Sequence, residues 1–307
     1  MTRLRFLRRG VFSKGAFGRT PSVVLTRRRP LSLSAEFQRK LNADEVDILK
    51  ESHDVENKIL TLKLNRPHAR NALSTELLNS LLSSFQNIKG RKDVNVVVIE
   101  AEGNVFCSGH DLKEMTNDLT DNESRLHLFQ LCSDVMTLIS SSAAPVIAKV
   151  DGVATAAGCQ LTASCDIVVA SARSKFATPG VDIGLFCSTP AVALSRAVGP
   201  RHAMYMLLTG DMIPADEAER IGLVSKVVAE EELDETVSML ATKLSKKSAV
   251  AIGVGKGLFR KQLNLPLEEA YAAASTTMAE NLGLPEAEEG IDAFLSKRPP
   301  EWPGEKL

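Results

Sequence analysis

The first 35 residues of this 307-residue chain contain no Asp or Glu, yet they hold eight arginines and Lys14. An acid-free, hydroxyl-bearing, Arg-rich leader with Leu4, Phe6, Leu7, Val11 and Phe12 set among its charges has the composition of a mitochondrial presequence. A basic arm for nucleic acid is the competing reading; the interleaving of charged and apolar residues favours targeting. Cysteine is sparse and wrongly spaced for a scaffold. Cys107, Cys132, Cys159, Cys165 and Cys187 form no CxxC pair and leave an odd number, which argues against a disulfide framework and against structural zinc. These thiols suit a reducing compartment such as the matrix, as small buried side chains and not as nucleophiles. The five histidines (His53, His68, His110, His127 and His202) lack metal-ligand spacing, so neither a metal nor a resident cofactor is expected. No run of 18 apolar residues is present, so no membrane span is expected. The chain also lacks internal repeats and low-complexity linkers.

The leader takes nine of the 37 basic residues and none of the 38 acids, so the remainder carries 28 against 38, a balance of −10. Nucleic-acid binding needs clustered Lys and Arg against phosphates, and Lys243, Lys246 and Lys247 make only a modest cluster at a solvated helix end. No nucleic-acid partner is expected. The 44% hydrophobic content is enough for one large domain or two moderate ones. Residues 58–65 alternate as a half-buried strand and end at Arg66-Pro67. Ser74 is placed to cap a helix whose Leu77, Leu78, Leu81, Leu82, Phe85 and Ile88 share one face. Buried strands are predicted over 94–100, 145–150 and 166–170, with a second amphipathic helix through Leu126, Phe129, Val135, Met136 and Ile139. Strands and helices alternate, which predicts an α/β fold with crossover connections. Beyond Thr189 the pattern is helical, at 200–208, 214–222, 231–246, 249–263, 267–282 and 285–297, with 224–228 as the sole short strand. Gly253-Val254-Gly255-Lys256-Gly257 fails the spacing of both phosphate-loop patterns and reads as a loose helix.

Two Gly-containing turns stand out about fifty residues apart: Phe106-Cys107-Ser108-Gly109-His110-Asp111-Leu112 and Thr155-Ala156-Ala157-Gly158-Cys159-Gln160-Leu161. Each follows an apolar run and opens a helical stretch, so their backbone N–H groups can converge on one oxygen and stabilise negative charge there. Gly109 and Gly158 would equally serve as plain tight connections. The two turns sit within a longer ordered set. Asn65-Arg66-Pro67 with Arg70-Asn71-Ala72-Leu73 comes before them, and Val150-Asp151-Gly152 leads into the second turn. Cys165-Asp166-Ile167, Phe176-Ala177-Thr178-Pro179, Gly184, Leu208-Thr209-Gly210 and Gly222-Leu223-Val224 come after, followed by 289–294 with Lys297-Arg298. From about Asn57 to Trp302 this set resembles the crotonase (enoyl-CoA hydratase/isomerase) superfamily.

The resemblance implies a ββα spiral core, assigned to 50–248, after a transit peptide at 1–35. It also implies a C-terminal helical trimerisation region at 249–307, giving a homotrimer or homohexamer. It implies an acyl-CoA thioester as ligand, an oxyanion hole from the N–H groups of His110 and Ala157, and coenzyme A contacts at Arg70, Ala72, Ser108, Phe294 and Lys297. Where most relatives carry glycine this chain has Ala157, which keeps the donor and narrows the site. Asp111 and Asp166 belong to the shared scaffold.

The resemblance breaks where the hydratases place their two glutamates. Those positions here are Gln160 and Gly180, and neither can transfer a proton. The following loop, Leu185-Phe186-Cys187-Ser188-Thr189, supplies no acid. Asp182 is the nearest carboxylate, read as a weak acid/base candidate against a solvated loop acid. Cys187 and Ser188 have no readable base beside them. Three functions follow. The first is a mitochondrial acyl-CoA-binding protein of fatty-acid metabolism without ordinary hydration. The second is a non-catalytic acyl-CoA-binding regulator or scaffold. The third, an RNA binder, is disfavoured by charge.

Overall fold

A computed structural model describes residues 47–118 and 121–305. The leader assigned to 1–35 lies outside the described residues. The chain opens on β1 (Leu49–Asp54) and β2 (Ile59–Leu64), an antiparallel pair in which Leu49 faces Leu64. Next come α1 (Thr75–Ile88), β3 (Val96–Ala101), β4 (Val105–Cys107) and α2 (Asn122–Ser141). Then β5 (Val146–Val150), β6 (Val153–Thr155) and α3 (Ala157–Ser164) repeat the ββα order. A third repeat follows as β7 (Ile167–Ser171), β8 (Lys175–Ala177) and, after a short 3-10 turn over Pro179–Ile183, α4 (Ser188–Ala197). Each repeat puts one strand in each of two sheets. The larger runs β1-β2-β3-β5-β7-β10, with β10 at Lys226–Val228, and is parallel from β2 onward. The smaller runs β4-β6-β8-β9, where β9 is only Ile213–Pro214 and pairs antiparallel with β8. This is the ββα spiral that the resemblance implies, and the strand-to-helix turns gather at the ends of the small-sheet strands.

Local chemistry explains the elements. The Ser74 side chain accepts from the Leu77 N–H at 3.2 Å, capping α1 as its position predicts, and Leu77, Leu78, Leu81, Phe85 and Ile88 are buried along one stripe. Successive β3 residues point to opposite faces. Val97 and Ile99 enter the main core with α1, α2 and α3, whereas Val96 and Val98 enter a smaller cluster beneath α7 (Leu233–Ser245) through Leu233, Val237 and Ala241. The large sheet is therefore covered on both sides.

Five strands lie beyond the sequence reading: β1, β9, and the three-residue β4, β6 and β8. β1 carries Glu51, His53 and Asp54 with only Leu49 fully buried, so no apolar alternation marks it; its pairing with β2 makes it a strand. β9 interrupts the C-terminal half at only two residues, too short to show a period, so 224–228 is not the sole strand there. The remaining helices are α5 (Pro200–Thr209), α6 (Ala215–Arg220), α8 (Ala249–Gln262), α9 (Leu267–Leu282) and α10 (Pro285–Leu295). Gly253 to Gly257 falls inside α8, as predicted, and Lys256 of that stretch is pinned: its ammonium donates to Asp166 and to the Ala144 carbonyl. Arg260 donates to the other Asp166 oxygen at 2.8 Å, while Asp166 also accepts from the Val146 N–H. Asp166 thus has the structural role expected of it, fastening α8 to the sheet.

Candidate active site

The two Gly-containing turns lie in direct contact because β4 and β6 are neighbours in the small sheet. In the first, Gly109 has φ of +103°, and a Cβ there would meet the Ala156 Cβ at 2.9 Å and the Ala157 nitrogen at 3.4 Å. In the second, a Cβ on Gly158 would overlap the Cys107 carbonyl oxygen. Both glycines are needed for close approach, one from each side. The Thr155 hydroxyl donates to the Ser108 carbonyl at 3.1 Å and ties the turns together.

The hydrogen-bond pattern leaves two amides facing away from their local partners. Leu73 pairs with His110 as a parallel bridge: the Leu73 N–H donates to the Gly109 carbonyl (2.7 Å), and the Asp111 N–H donates to the Leu73 carbonyl (3.3 Å). In such a bridge the intervening N–H, that of His110, points to the other side. Ala157 opens α3, so its N–H is one of the helix's first four, which have no intrahelical acceptor. The α3 dipole adds partial positive charge there. The residue before it, Ala156, has φ +49° and ψ −117°, a conformation that L side chains rarely adopt. Sequence reasoning located the unusual alanine at 157; the backbone strain sits at 156.

A third segment braces the first turn. Arg70 and Asn71 both have positive φ (+53° and +51°), so the loop after Pro67 doubles back. The buried Asn71 side chain accepts from the Arg66 N–H and donates to the Glu102 and Val105 carbonyls. Arg66 donates to the Ala72 carbonyl at 2.6 Å and to Asp111 at 3.0 Å, and Asp111 accepts from the Lys113 N–H. Asp111 is therefore structural, as expected. Arg70 is exposed, and its carbonyl accepts from the Ser108 N–H at 3.1 Å. Arg70, Ala72 and Ser108 are thus brought to the turn pair. Phe294, 83% exposed, and Lys297 stand on the surface at the end of α10, and no described hydrogen bond or ion pair carries them to the turns.

The loop at Gly180, the second position the resemblance assigns to the site, is closed. A Cβ on Gly180 would meet the Cys187 sulfur at 2.8 Å, the Leu185 carbonyl oxygen at 2.9 Å and the Cys187 nitrogen at 3.3 Å. The Leu185 N–H donates to the Gly180 carbonyl at 2.9 Å, which folds this loop back on itself. The space that a side chain at 180 would need is occupied by the Cys187 sulfur and by the backbone of Leu185 and Cys187. Asp182 is exposed and directs its carboxylate elsewhere: a Cβ on Gly210, at the end of α5, would lie 3.2 and 3.3 Å from its two oxygens. Ser188 is exposed and donates to the Phe186 carbonyl. Cys187 is buried, and burial pushes its thiol up, opposed by the Gly180 N–H. Burial pushes Cys107, Cys132 and Cys159 up to about 12, so these thiols are protonated and unreactive.

Gln160 is 4% exposed, one turn into α3 from Ala157, and its side-chain oxygen has no partner. The His110 imidazole packs edge-on against Phe129 of α2, with ring centroids 5.2 Å apart. Burial lowers it to about 4, opposed by the Leu73 backbone carbonyl, so it is neutral at physiological pH. Thr178, fully buried after β8, carries a hydroxyl without a partner. Sequence reasoning quoted Thr178 only as part of a motif, because a threonine before a proline gives no sign of its environment. Among the described residues no group of three or more His, Cys, Asp or Glu side chains could hold a metal ion.

Comparison with known proteins agrees with this arrangement. The Enoyl-CoA hydratase/isomerase family model matches residues 54–305. Mouse enoyl-CoA hydratase domain-containing protein 3, mitochondrial, is 51% identical over 244 residues, covering 80% of this chain and 81% of that protein. The crystal structure of the human protein of that name superposes with a TM-score of 0.80 at 48% identity, covering 83% of this chain and 100% of the other. An enoyl-CoA hydratase from Mycobacterium smegmatis gives the same TM-score and identity, over 83% of this chain and 98% of its own. Like its mammalian relatives, this protein is mitochondrial. The sequence, the two-sheet spiral and these matches together make the chain a member of the crotonase (enoyl-CoA hydratase/isomerase) family.

Proposed function

We propose that this protein binds acyl-CoA thioesters in the mitochondrial matrix and serves fatty-acid metabolism without ordinary enoyl-CoA hydration. The carrying observation is the contrast between the walls: two turn amides free of local partners on one side, and Gly180 closed over by Leu185 and Cys187 on the other. The His110 and Ala157 N–H groups would hold the thioester oxygen as charge develops on it, a contribution of roughly 3–4 kcal/mol for one such donor. The loop at Arg70, Ala72 and Ser108 would embrace the coenzyme, joined in the assembly by Phe294 and Lys297. Hydration also needs a base for water and an acid for carbon, and Gln160 and Gly180 supply neither. Thioester hydrolysis or α-proton chemistry would remain open to the same pair of donors.

Exposed apolar side chains on α8, α9 and α10, among them Phe259, Leu267, Tyr271 and Met278, support assembly as a homotrimer or homohexamer. The test is a panel of acyl-CoA thioesters with the mature chain, followed by calorimetry and mass spectrometry. Binding with formation of any product other than the hydrated one supports the reading. Binding with no product from any thioester selects a non-catalytic regulator or scaffold, the reading favoured by the missing acids. Hydration of crotonyl-CoA at the rate of an authentic hydratase overturns both.

A further inference from the structure

A cleft of about 860 Å³ opens at the end of α1 remote from the turns. α1 starts at Thr75, two residues after the Leu73–His110 bridge, and its 14 residues carry the chain about 20 Å before Ile88 reaches the cleft. The volume falls in the range of small-molecule sites, about 300–1,000 Å³. Phe85, Ile88, Val94 and Leu138 supply apolar lining.

Glu286 is the one acid on that lining, and it is only 8% exposed. Among the described residues no hydrogen bond or ion pair holds its carboxylate. The helix dipole favours an acid in the first turn of α10, but the exposed Glu288 meets that need without burial. One Glu286 oxygen lies 3.3 Å from where a Cβ on Gly304 would stand, and a Val250 methyl lies 3.8 Å from the same point. The Trp302 ring comes within 3.3 Å of a Cβ built on Gly290, one turn beyond Glu286 on the same face of α10. The C-terminal tail thus folds back over α10, and carboxylate and indole line the cleft together.

The bases come from other walls. Lys58 precedes β2, and Lys89, Arg91 and Lys92 belong to the α1–β3 loop. Arg91 is engaged by Asp93 at 2.6 Å, whereas Lys89 and Lys92 are exposed and their ammonium groups have no described partner. The end of α7 stands between acid and bases. The Lys246 carbonyl accepts from the Trp302 indole N–H at 2.9 Å, and the Ser245 carbonyl accepts from the Asn95 side chain at 2.9 Å.

This distribution of charge selects a ligand. A neutral hydrocarbon would leave the Glu286 carboxylate desolvated and unpaired, and a lone carboxylate would add repulsion to that cost. A lone ammonium would satisfy Glu286, and an indole also attracts ammonium groups, but it would meet like charge from Lys89 and Lys92. A molecule carrying both charges, held apart by an apolar chain, meets a partner at each end.

We propose that this cleft binds a small zwitterionic amphiphile, with an ammonium at Glu286 and Trp302, an apolar chain along Phe85, Ile88 and Leu138, and a carboxylate at Lys89 and Lys92. The site is separate from the turn pair and does not rest on the acyl-CoA reading.

Trp302 is the only tryptophan of the chain, so its fluorescence reports on the cleft directly. The test titrates the mature protein with 12-aminododecanoate below its micellar range, against dodecanoate and dodecylamine, by fluorescence and calorimetry. The doubly charged probe is expected to shift Trp302 emission saturably and to bind about tenfold more tightly than either singly charged one, as one further charged contact implies. Glu286→Gln, which keeps the side chain's shape, should reduce the affinity for 12-aminododecanoate about tenfold without weakening dodecanoate. Lys89→Ala combined with Lys92→Ala should weaken 12-aminododecanoate and dodecanoate, and leave dodecylamine at least as tight. A merely structural role for these side chains would move all three probes together. Absence of saturable binding, calorimetric binding without a Trp302 response, or equal affinity for the three probes overturns the proposal. So does binding seen only in a Lys306→Ala variant, which would give the Glu286 carboxylate to the chain's own lysine.

Discussion

Gly158 and Gly180 are both sites where a Cβ has no room, yet they stand on walls with opposite consequences. At Gly158 the crowding atom is the Cys107 carbonyl oxygen, so the missing side chain lets α3 press against β4 and brings two turns together. At Gly180 the crowding atoms belong to Leu185 and Cys187, a few residues along the same loop. There the closeness fills the space where a proton-transferring side chain would stand. Under the proposed function the first wall would keep the donors that hold a carbonyl, and the second would lack room for a group that delivers a proton. On that reading a side chain at 180 would need the loop at 185–187 to shift as well as a change of residue.

The largest effect should come from breaking the first wall. Gly158→Ala forces a methyl into a backbone carbonyl that cannot swing aside, and a loss of about 3 kcal/mol or more is expected in denaturant unfolding. Tolerance of alanine there would show that the turns do not need their close contact.

Acid should act on the same wall through His110. Its value falls from an ordinary 6.5 to about 4 in the folded chain, because burial disfavours the imidazolium. The unfolded chain therefore binds the extra proton between those limits. This contribution to stability is fully present above pH 6.5 and is lost as pH falls toward 4, up to about 3 kcal/mol. In His110→Phe the decline over that window should be shallower by this amount, as read from unfolding curves at pH 7 and pH 4.5. Parallel declines in the two proteins would refute it.

On the second wall, Gly180→Glu replaces the missing acid in sequence but not in space. Hydratase activity on crotonyl-CoA should stay absent, and stability should fall by about 2 kcal/mol as Leu185 and Cys187 are displaced. Gly180→Ala separates the two causes, since it carries the clash without the charge. A stable, active Gly180→Glu variant would mean the loop reopens at little cost. The smallest effect sharpens the picture of the turn itself. Ala156→Gly removes a methyl from a left-handed residue and should add a net gain of about 1 kcal/mol, measured by thermal unfolding.

The fold could be read from the chain because its elements carry strong periods. The α1 stripe with its Ser74 cap, the apolar runs of β3, β5 and β7, and the C-terminal helices were all legible. β1, β4, β6, β8 and β9 were not, β1 because its exposed face hides the alternation and the others because two or three residues hold no period. In the site, both turns and the glycines within them could be named from sequence, as could the non-acidic residues at 160 and 180. The strain at Ala156, the closure over Gly180, the turning away of Asp182 and the isolation of Thr178 could not, since each depends on atoms distant in sequence or on backbone angles.

The order of residues alone determined which groups exist: two amide-bearing turns, Gln160 and Gly180 in place of acids, a leader without acids, and amphipathic stripes at the spacing of helices and strands. Tertiary structure decided which of those groups meet. It set β4 beside β6, left four polar atoms near the turns without protein partners, and folded Leu185 back onto Gly180. The reason is physical: periodicity and composition act over a few residues, whereas van der Waals exclusion and hydrogen-bond pairing depend on positions that only the packed chain defines.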